Sequence, residues 1–286
     1  MAAEGDHIRR YNYTGEDRRV PDDVTHVTVD QSVTVIPEDA FSYNDNIVEV
    51  VCDLNVKKVE RRAFDWCPSL RRLIMPGVEV IDEAAFSFCE ALTDVECGKL
   101  EIIENLAFQH CNSLSSINLQ SAKIVEYCAF RYCEALAVVK FGSKLERIEG
   151  EAFYRCTALE RITIPLKDGL ITHDGIFIGC DNLRHIDLVE GELHETIVAL
   201  QLKEWRNDMN EEINSINQIL PDEPEVARAI RTWIRSVLRK IIHYQAEHRR
   251  LFDEEVATTF QLALPQDIVM KNVVSFLELP SYTFEV

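Results

Sequence analysis

The segment Ala-Phe-x-x-Cys-x-x-Leu recurs along the first two thirds of the chain, in the copies AFDWCPSL, AFSFCEAL, AFQHCNSL, AFRYCEAL and AFYRCTAL. The spacing of its phenylalanine is nearly constant, at 23, 22, 22, 22, 23 and 24 residues. The aligned residues are Phe41, Phe64, Phe86, Phe108, Phe130, Phe153 and Phe177. A period of this length predicts a solenoid, because one repeat is too short to bury its own apolar side chains and must stack on its neighbours.

Each repeat also contains the pattern of a short strand. A leucine or isoleucine stands six residues after the Phe, and apolar residues follow it at three and five positions, as in Leu70, Leu73 and Met75. This alternation is typical of a strand with one buried face. A second apolar pair precedes the Phe by eight and five residues, as in Val56 and Val59. We therefore predict one strand, a turn and a second extended segment in each repeat, and one further strand in VTHVTVD before the first full repeat.

The cysteines follow the same period. Six of the nine stand three residues after the Phe, where the first repeat has Asn44. They are Cys67, Cys89, Cys111, Cys133, Cys156 and Cys180. Neighbouring strands lie about 4.8 Å apart, so such a column could form a metal or redox array. The repeats contain no Cys-x-x-Cys pair and no histidine at ligand spacing, which favours packing of reduced thiols, with no metal site and no cofactor.

The combined pattern resembles the BspA-like class of leucine-rich repeats, whose consensus is close to L..I.IP..V..I...AF..C..L. The resemblance covers about residues 20–189. It implies an α/β-type repeat solenoid, a right-handed leucine-rich repeat coil with a parallel β-sheet face. We predict three regions: an N-terminal tail or cap (1–19), about seven repeats with an N-terminal half unit (20–189), and a helical C-terminal region (190–286).

Helical spacing begins after Gly191, and the sequence PDEP at 221–224 interrupts it. A second helix is expected from about Glu225, and a third in LPQDIVMKNVVSFLEL. We expect these helices to cap the open end of the solenoid, because the last repeat must be covered. Pairing of their apolar face with a second copy, as a homodimer through the tail, is the alternative.

A basic stripe lies on the second predicted helix, at spacings of 3, 4 and 4 residues. Its members are Arg228, Arg231, Arg235 and Arg239. One interpretation pairs them with acidic residues of the first predicted helix, which are Glu204, Asp208, Glu211 and Glu212. The other interpretation is that the stripe docks an acidic partner.

The outward positions of the predicted strands are those that the repeat leaves free, so binding specificity is expected there. They alternate with the buried positions and combine charged, amide and aliphatic side chains. The candidate partner-binding residues are Glu49, Val51, Arg72, Ile74, Asp94, Glu96, Ser116, Asn118, Val138, Lys140, Arg161, Thr163, His185 and Asp187. We call this set the strand face.

Charge and composition argue against several classes of function. The formal net charge is -19, with 49 acidic and 30 basic residues, which repels nucleic acid and anionic membranes. The first twenty residues lack the apolar segment of a signal peptide, and no run of 18 apolar residues occurs, so we expect a soluble intracellular protein. His185 and Asp187 with Arg161 come nearest to a catalytic cluster, but no nucleophile accompanies them and we expect no enzyme.

We therefore expect a non-enzymatic scaffold that binds a protein partner, of unknown identity, through the strand face. The alternative is a two-ended adaptor whose solenoid recognises a target and whose helical tail recruits a second protein. The tail resembles the first half of an F-box at Leu264, Pro265, Ile268, Val273, Phe276 and Leu277.

Overall fold

In the computed structural model, the residues described are 8–16, 20–167, 169–189, 226–240 and 243. They form a solenoid of nine front strands and six back strands, and in most turns one strand joins a front sheet and one joins the back sheet. A third side consists of the turns around Ala-Phe-x-x-Cys. Every pair of neighbouring strands is parallel, so each coil lies on the preceding one in the same direction. The predicted solenoid with its parallel sheet is confirmed.

The front strands form two sheets that divide between β8 and β10. The first sheet contains β1 Arg10–Tyr13, β2 His26–Val29, β4 Glu49–Val51, β6 Arg72–Ile74 and β8 Asp94–Glu96. The second contains β10 Ser116–Leu119, β12 Val138–Phe141, β14 Arg161–Pro165 and β15 His185–Val189. The strand predicted in VTHVTVD is β2, whereas β1 was not predicted.

The back sheet has six strands of two residues each. They are β3 Val35–Ile36, β5 Lys58–Val59, β7 Val80–Ile81, β9 Ile102–Ile103, β11 Ile124–Val125 and β13 Arg147–Ile148. In each strand the first residue is half-buried and the second is buried. These are the second extended segments of the predicted repeat.

The third side is held by hydrogen bonds between consecutive coils. The Phe64 N–H donates to the Ala85 carbonyl, and the Phe86 N–H donates to the Ala107 carbonyl, both at 2.8 Å. Two residues in most coils adopt the left-handed region, at φ values near 55°, although they are not glycine. One stands two residues before the Phe and the other two residues after it. This conformation is unfavourable for residues with a side chain, so the bonds to both neighbouring coils must hold it.

The seven phenylalanines form one continuous column of rings inside the solenoid. Consecutive centroids are 4.6 Å apart between Phe41 and Phe64 and 5.3 Å apart between Phe86 and Phe108, with nearly parallel planes. At the N-terminal end Tyr13 of β1 continues the column at 4.9 Å from Phe41. The first coil thus covers the first Phe with a tyrosine, although it lacks the Ala-Phe-x-x-Cys motif. The small Ala before most of the phenylalanines is fully buried, as at Ala85.

The C-terminal end of the solenoid is covered by a helix. In the last coil a 3-10 helix, Asp174–Phe177, occupies the turn before Cys180. Residues 226–240 are helical (α1), as predicted, and their buried face joins the apolar core of the solenoid. The residues of this face are Val226, Ala227, Ile230, Ile234, Val237 and Leu238.

The basic stripe contacts the last coil of the solenoid. Arg231 forms an ion pair with Asp174, and the Arg228 guanidinium is 3.9 Å from the same carboxylate. This partner was not predicted. The acidic residues proposed from the sequence, Glu204 to Glu212, lie outside the described residues, as do the first and third predicted helices and the F-box-like positions.

We predict that Ile230→Ala lowers the free energy of unfolding of the whole solenoid by about 2–5 kcal/mol, because the isoleucine is fully buried in the shared core. Denaturant titration followed by circular dichroism measures this change. The control is Thr232→Ala on the exposed side of α1, which should change stability by less than about 0.5 kcal/mol. Equal midpoints for the two variants would show that α1 adds nothing to the solenoid.

Candidate functional site

The structure brings all fourteen residues of the strand face to one surface. Glu49, Arg72 and Asp94 are neighbours in register on β4, β6 and β8. Beyond the division of the sheet, Val138 and Arg161 continue the same arrangement. The intervening residues, such as Leu73 and Val139, are fully buried. The alternation read from the sequence is therefore present, while the role of these residues in binding stays a prediction.

The charged side chains of the strand face interact mainly with each other. The Arg72 guanidinium lies 3.1 Å from the Asp94 carboxylate, 2.8 Å from that of Glu96 and 3.8 Å from that of Glu49. The hydrogen bond that Arg72 donates to Glu96 is the largest cause of the raised pKa of Arg72. These three carboxylates around one cation make the β4–β8 half of the face acidic.

The other half of the strand face has a different balance of charge. Arg161 donates to both carboxylate oxygens of Asp187, at 3.0 and 2.9 Å. Lys140, on β12, is exposed and forms no ion pair with any residue that the structure describes. His185 pairs in register with Arg161. One guanidinium nitrogen of Arg161 contacts both oxygens of Asp187, so these two members of the cluster noted in the sequence form an ion pair at the surface.

The cysteine column combines packing with a hydrogen bond that the sequence did not indicate. Each thiol donates to the carbonyl of the Phe in the preceding coil: the distance is 3.1 Å from Cys67 to Phe41 and 3.1 Å from Cys89 to Phe64. In the first repeat Asn44 has a similar role, since its amide donates to the Pro21 carbonyl at 3.4 Å. The thiols must be protonated to donate. Burial, the largest cause, raises the pKa of Cys89, Cys111 and Cys156 well above the ordinary value, which keeps these three thiols protonated.

We predict that the nine thiols, all free and buried, react very slowly with a thiol reagent in the folded protein and all react after unfolding. Burial raises the pKa of Cys52 and of Cys97 to about 12, so even these two residues at strand ends carry little thiolate at pH 8. Absorbance of the released aromatic thiolate measures the reaction. Rapid reaction of several thiols without denaturant would contradict the packing.

No group of three or more His, Cys, Asp or Glu side chains that could hold a metal ion occurs among the described residues.

A second surface, which sequence reasoning missed, lies on the turn side of the solenoid. The residues two positions after the Phe in four consecutive coils are Trp66, Phe88, His110 and Tyr132, and their rings stack at 4.4, 4.5 and 4.4 Å. We call these four residues the aromatic stack. The signal was present in the sequence, since this position is aromatic or histidine in five successive repeats from Tyr43 to Tyr132. The left-handed backbone conformation turns these side chains out of the core.

Charged groups surround the aromatic stack. The pKa of His110 is lowered, first by burial between its neighbouring rings and then by the Arg131 charge, while Glu90 and Glu134 oppose the shift. The Arg131 guanidinium also lies 4.8 Å from the Tyr154 ring centroid. The imidazole is therefore held mainly in its neutral form at neutral pH.

Within the described ranges, no helix combines the length and the apolar character that crossing a bilayer requires.

Comparison with known proteins identifies the repeat. A family model described as "BspA type Leucine rich repeat region" matches in six copies, over residues 21–136 and 101–199. A search of curated proteins finds no significant match. Repeats of this kind are typical of protein-interaction modules, and the fold is generally a non-enzymatic scaffold.

The solved structures that the comparison found include three bacterial proteins. A leucine rich cell surface protein from Faecalibacterium prausnitzii shares 20% identity over 60% of this chain and 62% of its own, with a TM-score of 0.40. The leucine-rich repeat protein of T. pallidum shares 23% sequence identity over 56% of this chain and 68% of its own length, with a TM-score of 0.39. A leucine-rich repeat protein from Bacteroides ovatus shares 18% sequence identity over 60% of this chain and 53% of its own length, with a TM-score of 0.42.

The chain thus spans less than two thirds of the length of the first of these structures. The family model covers more than half of the chain, and its repeats coincide with the coils described above. The chain belongs to the BspA-type leucine-rich repeat family.

Proposed function

We propose that this protein is a non-enzymatic interaction module that binds a protein partner through the strand face. The family to which the repeats belong supports the general class. The strand face itself is supported by position, because its side chains project from strands whose alternate residues fill the core. Such positions can vary without cost to the fold, so a partner can be recognised there.

The division of charge on the strand face is the observation that carries the proposal. The charged residues of the β4–β8 half are Arg72 and three carboxylates, so this half has a formal charge of 1 − 3 = −2. The charged residues of the β10–β15 half are Lys140, Arg161 and Asp187, so with histidine counted as neutral its formal charge is 2 − 1 = +1. A partner with the opposite asymmetry docks in one orientation only. Complementary charge of this kind mainly sets orientation and the rate of association.

Apolar side chains near the charges provide a contact area. Val51 and Ile74 are neighbours in register and half-buried, and Val138 lies in the other half of the face. Seven front strands from β4 to β15 extend over roughly 29 Å at about 4.8 Å per strand.

We predict that replacing Arg72, Ile74, Lys140 and Arg161 together by serine lowers the recovery of the partner at least tenfold in affinity capture from the source cells, because the substitutions remove the cations and one apolar contact of the face. Quantitative mass spectrometry of the captured proteins measures the change. Circular dichroism of the variant checks that the solenoid is intact.

A matched control variant replaces the same kinds of side chain elsewhere on the surface. Leu54, Lys57, Arg61 and Lys99 are exposed and lie outside the strand face, so their replacement by serine removes one aliphatic residue and three cations. This variant should keep its partners. Equal recovery with both variants would refute binding through the strand face.

A further inference from the structure

The aromatic stack is closed at one end. After Tyr132, the ring of Tyr154 meets the stack edge-on, at 5.6 Å and 74°. The guanidinium groups of Arg131 and Arg155 lie within 6 Å of the Tyr132 and Tyr154 centroids. These rings and cations occupy the C-terminal end, so a further planar group cannot be added there.

The other end of the aromatic stack is open. Trp66 is 44% exposed, and the hydrogen bond from its N–H to the Ser87 carbonyl, at 2.9 Å, fixes its backbone. Tyr43 is the corresponding residue of the preceding coil, but it is 61% exposed and forms no ring contact with Trp66 among the contacts of the described residues. One face of the Trp66 indole is therefore accessible to a planar group from another molecule.

An exposed row of carboxylates runs along the solenoid four residues after the Phe. Successive coils have alternately an acidic and a neutral residue at this position, with Pro68, Asn112 and Thr157 as the neutral ones. The acidic residues, which we call the acidic row, are Asp45, Glu90, Glu134 and Asp181. Glu90 and Glu134 interact electrostatically with His110, so the row lies beside the aromatic stack.

Among the described residues, no cation of a neighbouring coil forms an ion pair with the acidic row. On the back and front sheets many carboxylates do pair with a cation of a neighbouring coil, as Asp82 does with Lys58 at 2.7 Å and Glu101 with Lys123 at 2.7 Å, although some exposed ones, such as Glu146, do not within the described ranges. Within the part of the chain that the structure describes, the four residues of the acidic row form no ion pair. With a net charge of -19 for the whole chain, this surface attracts cations.

The spacing of the acidic row indicates which backbone conformation a peptide bound along it would have. Acidic positions recur every second coil, which is roughly 9.6 Å at about 4.8 Å per coil. A polyproline II helix advances about 9.3 Å in one turn of three residues, so every third side chain projects from the same side. In a β-strand, residues three apart point to opposite faces. An arginine guanidinium is planar and cationic and stacks on aromatic faces, which fits both the indole and the carboxylates.

We propose that the aromatic stack and the acidic row together form a second interaction surface, which binds a polyproline II segment of a partner protein that has arginine at every third position. One guanidinium stacks on the open face of Trp66, and the following arginines lie beside Glu90 and Glu134. The prolines between them contact the ring edges of Phe88, His110 and Tyr132. This surface is separate from the strand face and does not depend on it.

The test uses the full chain and two synthetic peptides of the same composition. The peptide RPPRPPRPP places arginine at every third position, whereas its isomer RPRPRPPPP does not. Isothermal titration at low ionic strength, where surface charges are least screened, measures both affinities. We expect the first peptide to bind at least tenfold more tightly. Equal affinities, or no binding of either peptide, would overturn the proposal.

Two variants and a control locate the peptide on the protein. Trp66→Ala should weaken binding of RPPRPPRPP by roughly fivefold to thirtyfold, the range expected for loss of a cation–π contact. Glu90→Gln with Glu134→Gln should remove the preference between the peptides, and because both residues are exposed the fold is retained. Glu146→Gln, an exposed carboxylate outside the row, is the control and should leave both affinities unchanged. Unchanged affinities in the Trp66 and Glu90/Glu134 variants would also refute the proposal.

Discussion

The hydrogen bonds between consecutive coils on the turn side are the interaction on which the rest of the structure depends. From Phe41 to Phe130 the Phe N–H of each coil donates to the carbonyl of the alanine one coil later, at 2.8 Å, and Phe153 donates to Ile176 at 3.1 Å. In most coils two residues adopt an unfavourable left-handed backbone to allow this contact, and the neighbouring coils hold them there. Because the same positions of successive coils must then lie above one another, every position of the repeat becomes a column along the solenoid.

The columns inside the solenoid constrain which residue types can occupy them, whereas the columns on its surface do not. The inner columns repeat one residue type, since phenylalanine rings stack on each other and each cysteine thiol bonds the preceding Phe carbonyl. The outer columns do not have to repeat one residue type, and their charge patterns differ between the sides of the solenoid. On the front sheet the charges change sign along the column, whereas on the turn side the acidic row alternates with neutral residues. The protein thus presents surfaces of different chemistry on one rigid framework, which is the basis of both proposed interactions.

The sequence predicted the repeated part of the fold because periodicity reports burial directly. Leu73 is buried and Arg72 is exposed, as the alternation indicated. Tyr13 was missed because one strand without the Ala-Phe-x-x-Cys motif has no period to reveal it. The left-handed backbone at Leu106 and Cys128 could not be predicted either, since contacts between coils override the local preference of these residues. The contact of Arg231 with Asp174 joins residues distant in sequence, and no pattern connects them. For the candidate site, the strand face followed from alternation, while the aromatic stack required knowledge of where the turn residues point.

The central claim is that coils one repeat apart are equivalent and hold one another in register. Deleting residues 87–108 removes 22 residues, one full period, and joins Phe86 to Gln109 so that every column continues. Deleting residues 87–97 removes half a period and breaks every column. Thermal unfolding of the two variants, followed by circular dichroism, is the most direct measurement. The first variant is expected to retain its strand signal and unfold in one cooperative transition at a lower midpoint than the intact chain, and the second to be unfolded. Loss of cooperative unfolding in both variants, or equal stability of the two, would contradict the account.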